Sequence, residues 1–477
     1  MIFSSTTFLF VFLPLCLGFY YLAPRGLRNT VLLAFSLLFY AWGEALYTGL
    51  MLVSILGNHV AGHIVARANT TSTRKAALVM GLVFNLGLLA VFKYLGWLVR
   101  SLYGIGTEVG LDLPAHWGNF QIHLPIGISF FTFQAISYLI DVWRNQAAPQ
   151  RRIQDFALYI ALFPQLIAGP IVRYSDVARQ LNRRKHRLHL FASGIQRFVQ
   201  GLAKKVLVAN VLAVPVELVL RTPGDEVSTA AAWFAMLAYA GQLYFDFSGY
   251  SDMAIGLGRM FGFRFKENFL HPYESRSIHE FWRRWHVSLS SWFRDYLYIP
   301  MGGSRVGRVR TYLNLWTVFL LVGLWHGAAW NYVLFGAYHG LLIVIERAFL
   351  GRRLGAVSGR IYTTFVLALG WPIFSAETFA GCVALLHAML PFGRPLAGTL
   401  EIAPLLSPLI VVTFAVAVVG STRIPLFAAA RVATLLQGRG RSGPWRPVSA
   451  AALLVLFVLC VAELASGSYN PFIYFRF

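Results

Sequence analysis

Apolar residues run through this chain in long stretches separated by short basic connections. A membrane-crossing helix needs roughly 20 mostly apolar residues, and the first suitable stretch covers residues 6–22. Arg25 and Arg28 follow it rather than precede it. That order predicts a retained span with its N-terminus outside, not a cleaved leader. Further spans are expected near 31–44, 48–65, 76–97 and 122–142. The connections Arg67/Arg74/Lys75 and Arg144/Arg151/Arg152 alternate with poorly basic ones such as 101–121, as a consistent cytoplasmic assignment requires.

Residues 154–172, which include FALYIALFPQLIAGPIV, are apolar but interrupted by Pro164, Gly169 and Pro170. They predict either a re-entrant, broken segment against a cavity or a proline-kinked span. Two long apolar stretches follow, near 191–220 and 229–257, and then a basic, aromatic region at 259–310. The remaining spans are expected near 312–332, 333–348, 361–377, 403–421 and 448–466, with an outside amphipathic segment at 378–402. The reading is a single membrane-embedded domain over 1–477: all-α, polytopic, with about 11–12 transmembrane helices.

Composition agrees. Of 477 residues 57% are hydrophobic and 13% charged, about half the charge of a soluble chain. Lys and Arg number 41 against 19 Asp and Glu. In a soluble protein that excess would suggest nucleic acid; between apolar spans it is topogenic, and no nucleic-acid partner is expected. Cys16, Cys382 and Cys460 lack ligand spacing and predict neither disulfides nor a zinc site. No phosphate-binding loop, dinucleotide fingerprint, nucleophile elbow or zinc-protease motif is present.

Candidate chemistry concentrates in two places. In 275–300, Ile278, Trp282, Trp285, Leu289, Phe293 and Tyr296 recur at helical spacing, with Glu280, Arg284, Ser288, Ser291 and Asp295 opposite. This predicts one amphipathic helix that lies at the cytoplasmic interface or packs obliquely into the protein, with His286 beside its apolar face; an interfacial histidine capping nearby carbonyls is the alternative to a functional one. His326 lies deep in LVGLWHGAAWNYVLFGAYHG, between Gly323 and Gly327. An ionisable group at membrane depth is a functional candidate, although a neutral ring bonded to a neighbouring helix is the alternative. His339 reads as structural. Asp246 and Asp252, in YFDFSGYSDMAIGLGRMFGF, either line a polar cavity or pair with nearby arginines. His59 and His63 are four apart but no carboxylate or cysteine completes a site, so no metal is expected.

HEFWRRWHVSLSSWFRDYLYIPMGGSR and GLWHGAAWNYVLFGAYHG resemble the membrane-bound O-acyltransferase family. YFDFSGYSDMAIG, MIFSSTTFLFVFLPL, FYAWGE, LPIGISFFTFQAISYLIDV, FPQLIAGPIVR and NPFIYFRF resemble its bacterial branch, which includes the membrane subunit of alginate O-acetylation. The resemblance implies helices around a central tunnel. It also implies that His326 is the principal catalytic histidine and His286 the second active-site position, which is His or Asn in the family. His326 is then expected to act as general base, and His286 to position the donor or polarise its carbonyl. Arg283 and Arg284, with Trp282 and Ser290, are the candidate contacts for the donor, acetyl-CoA; Arg305 and Arg308 add to the basic surface.

The implied setting is the bacterial inner membrane, with a periplasmic acetyltransferase partner and an exported polysaccharide as acceptor. Peptidoglycan, cellulose or teichoic acid are alternative acceptors. A transporter or polymer-export channel is the reading from another class, since intramembrane His and Asp also occur in proton relays.

Overall fold

The computed structural model describes all residues except 167–168, 351–353, 391–398, 426, 428–444 and 468–477, and side chains at 445–449 are likewise not described. The motif NPFIYFRF and the basic residues Arg352, Arg353, Arg431, Arg439, Arg441 and Arg446 thus lie outside the described positions or side chains. Among the described residues the chain is helical, without a named strand. Helices Tyr47–Arg67, Thr71–Glu108 and Trp330–Leu350 are long and apolar enough to cross a bilayer by length and composition. Phe8–Leu22, Ile128–Trp143, Phe379–Ala388, Pro408–Gly420 and Ala450–Ala465 are shorter apolar helices. The 32-residue helix Thr229–Met260 carries Asp246, Asp252 and Arg259 along its length.

The chain divides into two compact units. Unit 1 comprises 1–194, 257–266 and 327–329. Its core joins Phe3, Phe8, Phe12, Phe39 and Phe163, whose rings meet at 5.0–6.3 Å. Asn58 and Asn85 exchange side-chain hydrogen bonds of 3.1 and 2.6 Å between helices Tyr47–Arg67 and Thr71–Leu89, so each buried amide is partnered. Helix Ile128–Trp143 starts six residues later than the apolar pattern suggests. Pro125 and Gly127, at φ 77°, delay it. The suspect 154–172 stretch is indeed broken: helix Ile153–Ala161 stops at Leu162, and a single turn Phe163–Leu166 follows.

Unit 2 comprises 195–256, 267–326 and 330–477. Helices Leu188–Ala203 and Thr229–Met260 touch at Gly201 and Gly249; a Cβ on Gly249 would stand 2.7 Å from the Gly201 carbonyl. Helices Arg308–His326 and Trp330–Ile345 pack closely, meeting at Gly323 and Gly336, where a Cβ on Gly323 would collide with the Tyr332 carbonyl. The turn between them falls at 327–329, earlier than the boundary near 332 expected from hydropathy. His326 therefore ends a helix instead of sitting inside one.

A second correction concerns 275–300. The predicted single helix is two, Ile278–Arg284 and Val287–Phe293, followed by a π-helical turn Arg294–Tyr298. Trp285 is extended and His286 is left-handed, at φ 44° and ψ 54°. The cause is tertiary: Leu270 N–H donates to the Arg284 carbonyl at 3.0 Å, and Val287 N–H to the Asn268 carbonyl at 2.9 Å. Segment 268–270 thus takes up backbone groups that a continuous helix would have paired. The apolar face survives the break, since Ile278, Trp282, Trp285, Leu289, Phe293 and Tyr296 are all buried.

Candidate active site

Both candidate histidines lie in unit 2 and both are buried, His286 completely. His326 meets Trp325 at 5.1 Å, Phe374 at 5.2 Å and Phe335 at 6.2 Å between ring centroids, each nearly edge-on. His286 stands edge-on to Phe247 at 4.7 Å and to Trp325 at 5.7 Å. Trp325 touches both imidazoles. Sequence spacing placed them 40 residues apart; the fold brings them to one aromatic enclosure.

Hydrogen-bond chemistry defines the His286 tautomer. The Ser288 hydroxyl donates its proton to Asn268 Oδ1 at 2.9 Å. At 3.4 Å from His286 Nδ1, the same oxygen then acts as acceptor, so Nδ1 carries the hydrogen. In the neutral ring Nε2 is left with a lone pair, and it is buried without a hydrogen bond among the described residues. Asn268 is itself buried and held, its Nδ2 donating to Ser251 Oγ at 3.2 Å. Nothing in the sequence singled out Asn268; its importance comes from a fold contact with Ser288, 20 positions away.

Around the histidines the ring contacts close on themselves. From His326 they pass through Phe335 to His339 at 4.5 Å, from His339 to Trp282 at 5.2 Å, and through Phe281 to Trp285. Trp285 meets Phe269 at 5.0 Å, and Phe269 returns to His286 at 6.5 Å. Such a low-dielectric wall strengthens any electrostatic interaction inside it.

Of the candidate donor contacts, Trp282 is buried and its indole N–H donates to His339 Nδ1 at 3.3 Å. Ser290 hydroxyl donates to the Trp285 carbonyl at 3.4 Å. Arg284 is engaged locally, with Glu280 at 2.6 Å and the Leu270 carbonyl at 3.3 Å. Arg283 is exposed, as is Arg347. Burial, then the fields of Arg283 and Arg347, hold the nearby His279 imidazole below its ordinary value, which marks a positive local surface. Arg305 and Arg308 are also exposed.

Asp252 pairs with Lys204 at 2.7 Å and Arg197 at 2.7 Å, and Asp246 with Lys205 at 2.7 Å. The pairing alternative therefore describes both aspartates, with two lysines as partners that the sequence reading passed over. Two adjacent lysines inside the apolar stretch 191–220 were the available signal. In unit 1, His63 Nε2 bonds the Gln150 carbonyl at 3.1 Å, and the His59 ring packs on His63 at 4.7 Å. No group of three or more metal-ligating side chains occurs among the described residues.

Comparison with known proteins places this arrangement in a family. The model of the MBOAT, membrane-bound O-acyltransferase, family matches residues 91–353, a segment that includes both histidines. The chain is 43% identical to the probable alginate O-acetylase AlgI of Pseudomonas putida, and 40% identical to that of Pseudomonas aeruginosa, each aligned over the full length of both chains. It is also 32% identical to a peptidoglycan O-acetyltransferase of Helicobacter pylori, over 82% of this chain and 80% of the relative. With a family model covering more than half of its length and full-length relatives at this identity, the chain is a multi-pass membrane acyltransferase and belongs to the membrane-bound O-acyltransferase family.

Proposed function

We propose that the chain moves an acetyl group from cytoplasmic acetyl-CoA across the bacterial inner membrane, for O-acetylation of an exported, alginate-type polysaccharide through a periplasmic acetyltransferase partner. The observation that carries this reading is the pair of buried histidines packed against one shared tryptophan, Trp325, in a chain that aligns end to end with alginate O-acetylases.

In this mechanism His326 takes the proton of the attacking hydroxyl as the new C–O bond forms at the thioester carbonyl. The C–S bond then breaks, and the departing thiolate receives that proton from His326. The Nε2 lone pair of His286 stabilises the transient imidazolium of His326. This division of labour follows the hydrogen-bond directions, since a neutral His286 with hydrogen on Nδ1 has no Nε2–H with which to polarise a carbonyl. The exposed Arg283 and Arg347, with Arg305 and Arg308, are available to attract the donor's phosphates; Arg284, Ser290 and Trp282 serve the framework that holds the histidines.

The test uses everted membrane vesicles from a deletion strain carrying this chain or His326→Ala, supplied with labelled acetyl-CoA. Expected are thiol release and label in the exported polymer with the native chain, and neither with the variant. Label appearing in peptidoglycan instead would move the acceptor. Absence of thiol release from the native vesicles would refute the acyltransfer mechanism.

A further inference from the structure

Within unit 2, His339 belongs to the same enclosure as His326 but has a different hydrogen-bonding character. Its Nδ1 accepts the indole N–H of Trp282 at 3.3 Å. An indole nitrogen only donates, so Nδ1 must carry the lone pair. The neutral ring therefore has its hydrogen on Nε2. That N–H is buried, 1% exposed for the whole residue, and makes no hydrogen bond among the described residues. A buried donor left without an acceptor has lost its hydration with nothing in return, so its retention calls for a ligand. Gly370 faces this nitrogen: a Cβ there would stand 3.5 Å from His339 Nε2 and 3.1 Å from Tyr338 Cε1. A second buried donor, Trp371 Nε1, is the next residue and also lacks a partner among the described residues. Phe335 packs against both His339 and His326, with ring centroids at 4.5 and 6.2 Å.

We infer that His339 Nε2–H, held in that tautomer by Trp282, donates a hydrogen bond to the carbonyl oxygen of the acyl group being transferred. The inference rests on the acyltransfer reading above. As the hydroxyl adds and the C–O bond forms, the carbonyl π pair moves onto oxygen. His339 meets the resulting negative charge; when the pair returns, the C–S bond breaks and the charge leaves with the thiolate. No proton is transferred from His339. Donors fixed in advance towards a developing oxyanion act where water is excluded, and removing one lowers turnover by roughly 100- to 1,000-fold. The sequence alone made His339 a structural residue; its distinct role is that of a donor, whereas His286 presents an acceptor. Trp282 is a positioning residue, acting only through the His339 ring.

The same vesicles test this with His339→Phe, His339→Gln, Trp282→Phe and Gly370→Ala. His339→Phe is expected to lower kcat about 100-fold with the acetyl-CoA KM little changed, because the bond strengthens only as charge develops. His339→Gln keeps an N–H and is expected to recover about tenfold over Phe. Trp282→Phe frees the tautomer and should cost about tenfold. Gly370→Ala covers Nε2 and should lower kcat while the protein remains folded by thermal unfolding in detergent. Native vesicles that release no thiol would remove the acyltransfer reading and this inference with it. Active native vesicles together with an unimpaired His339→Phe would overturn the inference alone. A His339→Phe loss that tracks unfolding, with Gly370→Ala fully active and Gln no better than Phe, would also overturn it, leaving His339 a packing residue.

Discussion

Asn268 Oδ1 accepts both the backbone N–H and the hydroxyl of Ser288, at 3.1 and 2.9 Å. One amide thereby anchors the first turn of helix Val287–Phe293 and commits the Ser288 proton, which in turn sets the His286 tautomer. Removing it leaves the histidine in place without its orienting partner. Asn268→Ala is expected to lower turnover on the order of 10- to 100-fold, the usual effect of losing an outer-shell partner. Ser288→Ala should behave alike and Ser288→Thr much better; acetyl transfer by the three variants at equal membrane abundance is the measurement.

His286 occupies a left-handed conformation that costs a non-glycine residue roughly 1–2 kcal/mol. Asparagine tolerates that region and keeps a side-chain acceptor. His286→Asn should therefore retain more acetyl transfer than His286→Leu while folding as well as the native chain. Equal activity in the two variants would separate the Nε2 lone pair from catalysis.

Gly323 and Gly336 let helices Arg308–His326 and Trp330–Ile345 approach at their backbones. Since His326 ends the first helix and His339 rides on the second, separating the pair displaces both rings. Gly323→Ala is expected to reduce acetyl transfer at least tenfold and lower the unfolding temperature in detergent. Gly87→Ala, in open space, is the matched control.

Lys205 and Asp246 pair at 2.7 Å with side chains only 2% exposed. Breaking a buried pair from one side strands the other charge, at about 3–5 kcal/mol. Lys205→Met or Asp246→Leu alone should destabilise the protein strongly, and the double substitution should recover most of the loss. A detergent unfolding series across the double-mutant cycle reads the coupling.

His186, in the connection after helix Tyr174–Asn182, is bonded to the Tyr20 hydroxyl at 2.9 Å. Burial, then the charges of Arg28 and Arg184, hold its imidazole below the ordinary value of 6.5. The unfolded chain thus takes up a proton more readily than the folded one. The associated stability is present above about pH 6.5 and is lost as pH falls through the lowered folded value. His186→Gln should flatten the fall in unfolding temperature between pH 7.5 and 5.5.

Much of the fold was legible because bilayer crossing demands long apolar runs, and helices such as Tyr47–Arg67 follow them closely. The apolar positions of 275–300 were legible too, and all six are buried. Boundaries were less so: the Thr71–Glu108 helix outruns its predicted end, and the 327–329 turn was misplaced. Hydropathy has no term for a glycine-mediated close approach between two helices. Lys204 and Lys205 escaped because their partners, Asp252 and Asp246, lie more than 40 positions along the chain.

By itself the sequence determined the solvent, the helical class and the identity of the histidines in apolar surroundings, since these depend on local composition and short spacing. Only the tertiary structure decided how those histidines are used. The break at His286 opposes local helical preference and exists because Asn268 and Leu270 supply the hydrogen bonds that a helix would have supplied. Tautomers are set in the same way: a ring nitrogen becomes donor or acceptor according to the partner that the fold brings to it. Ser288 makes His286 present a lone pair, and Trp282 makes His339 present a hydrogen.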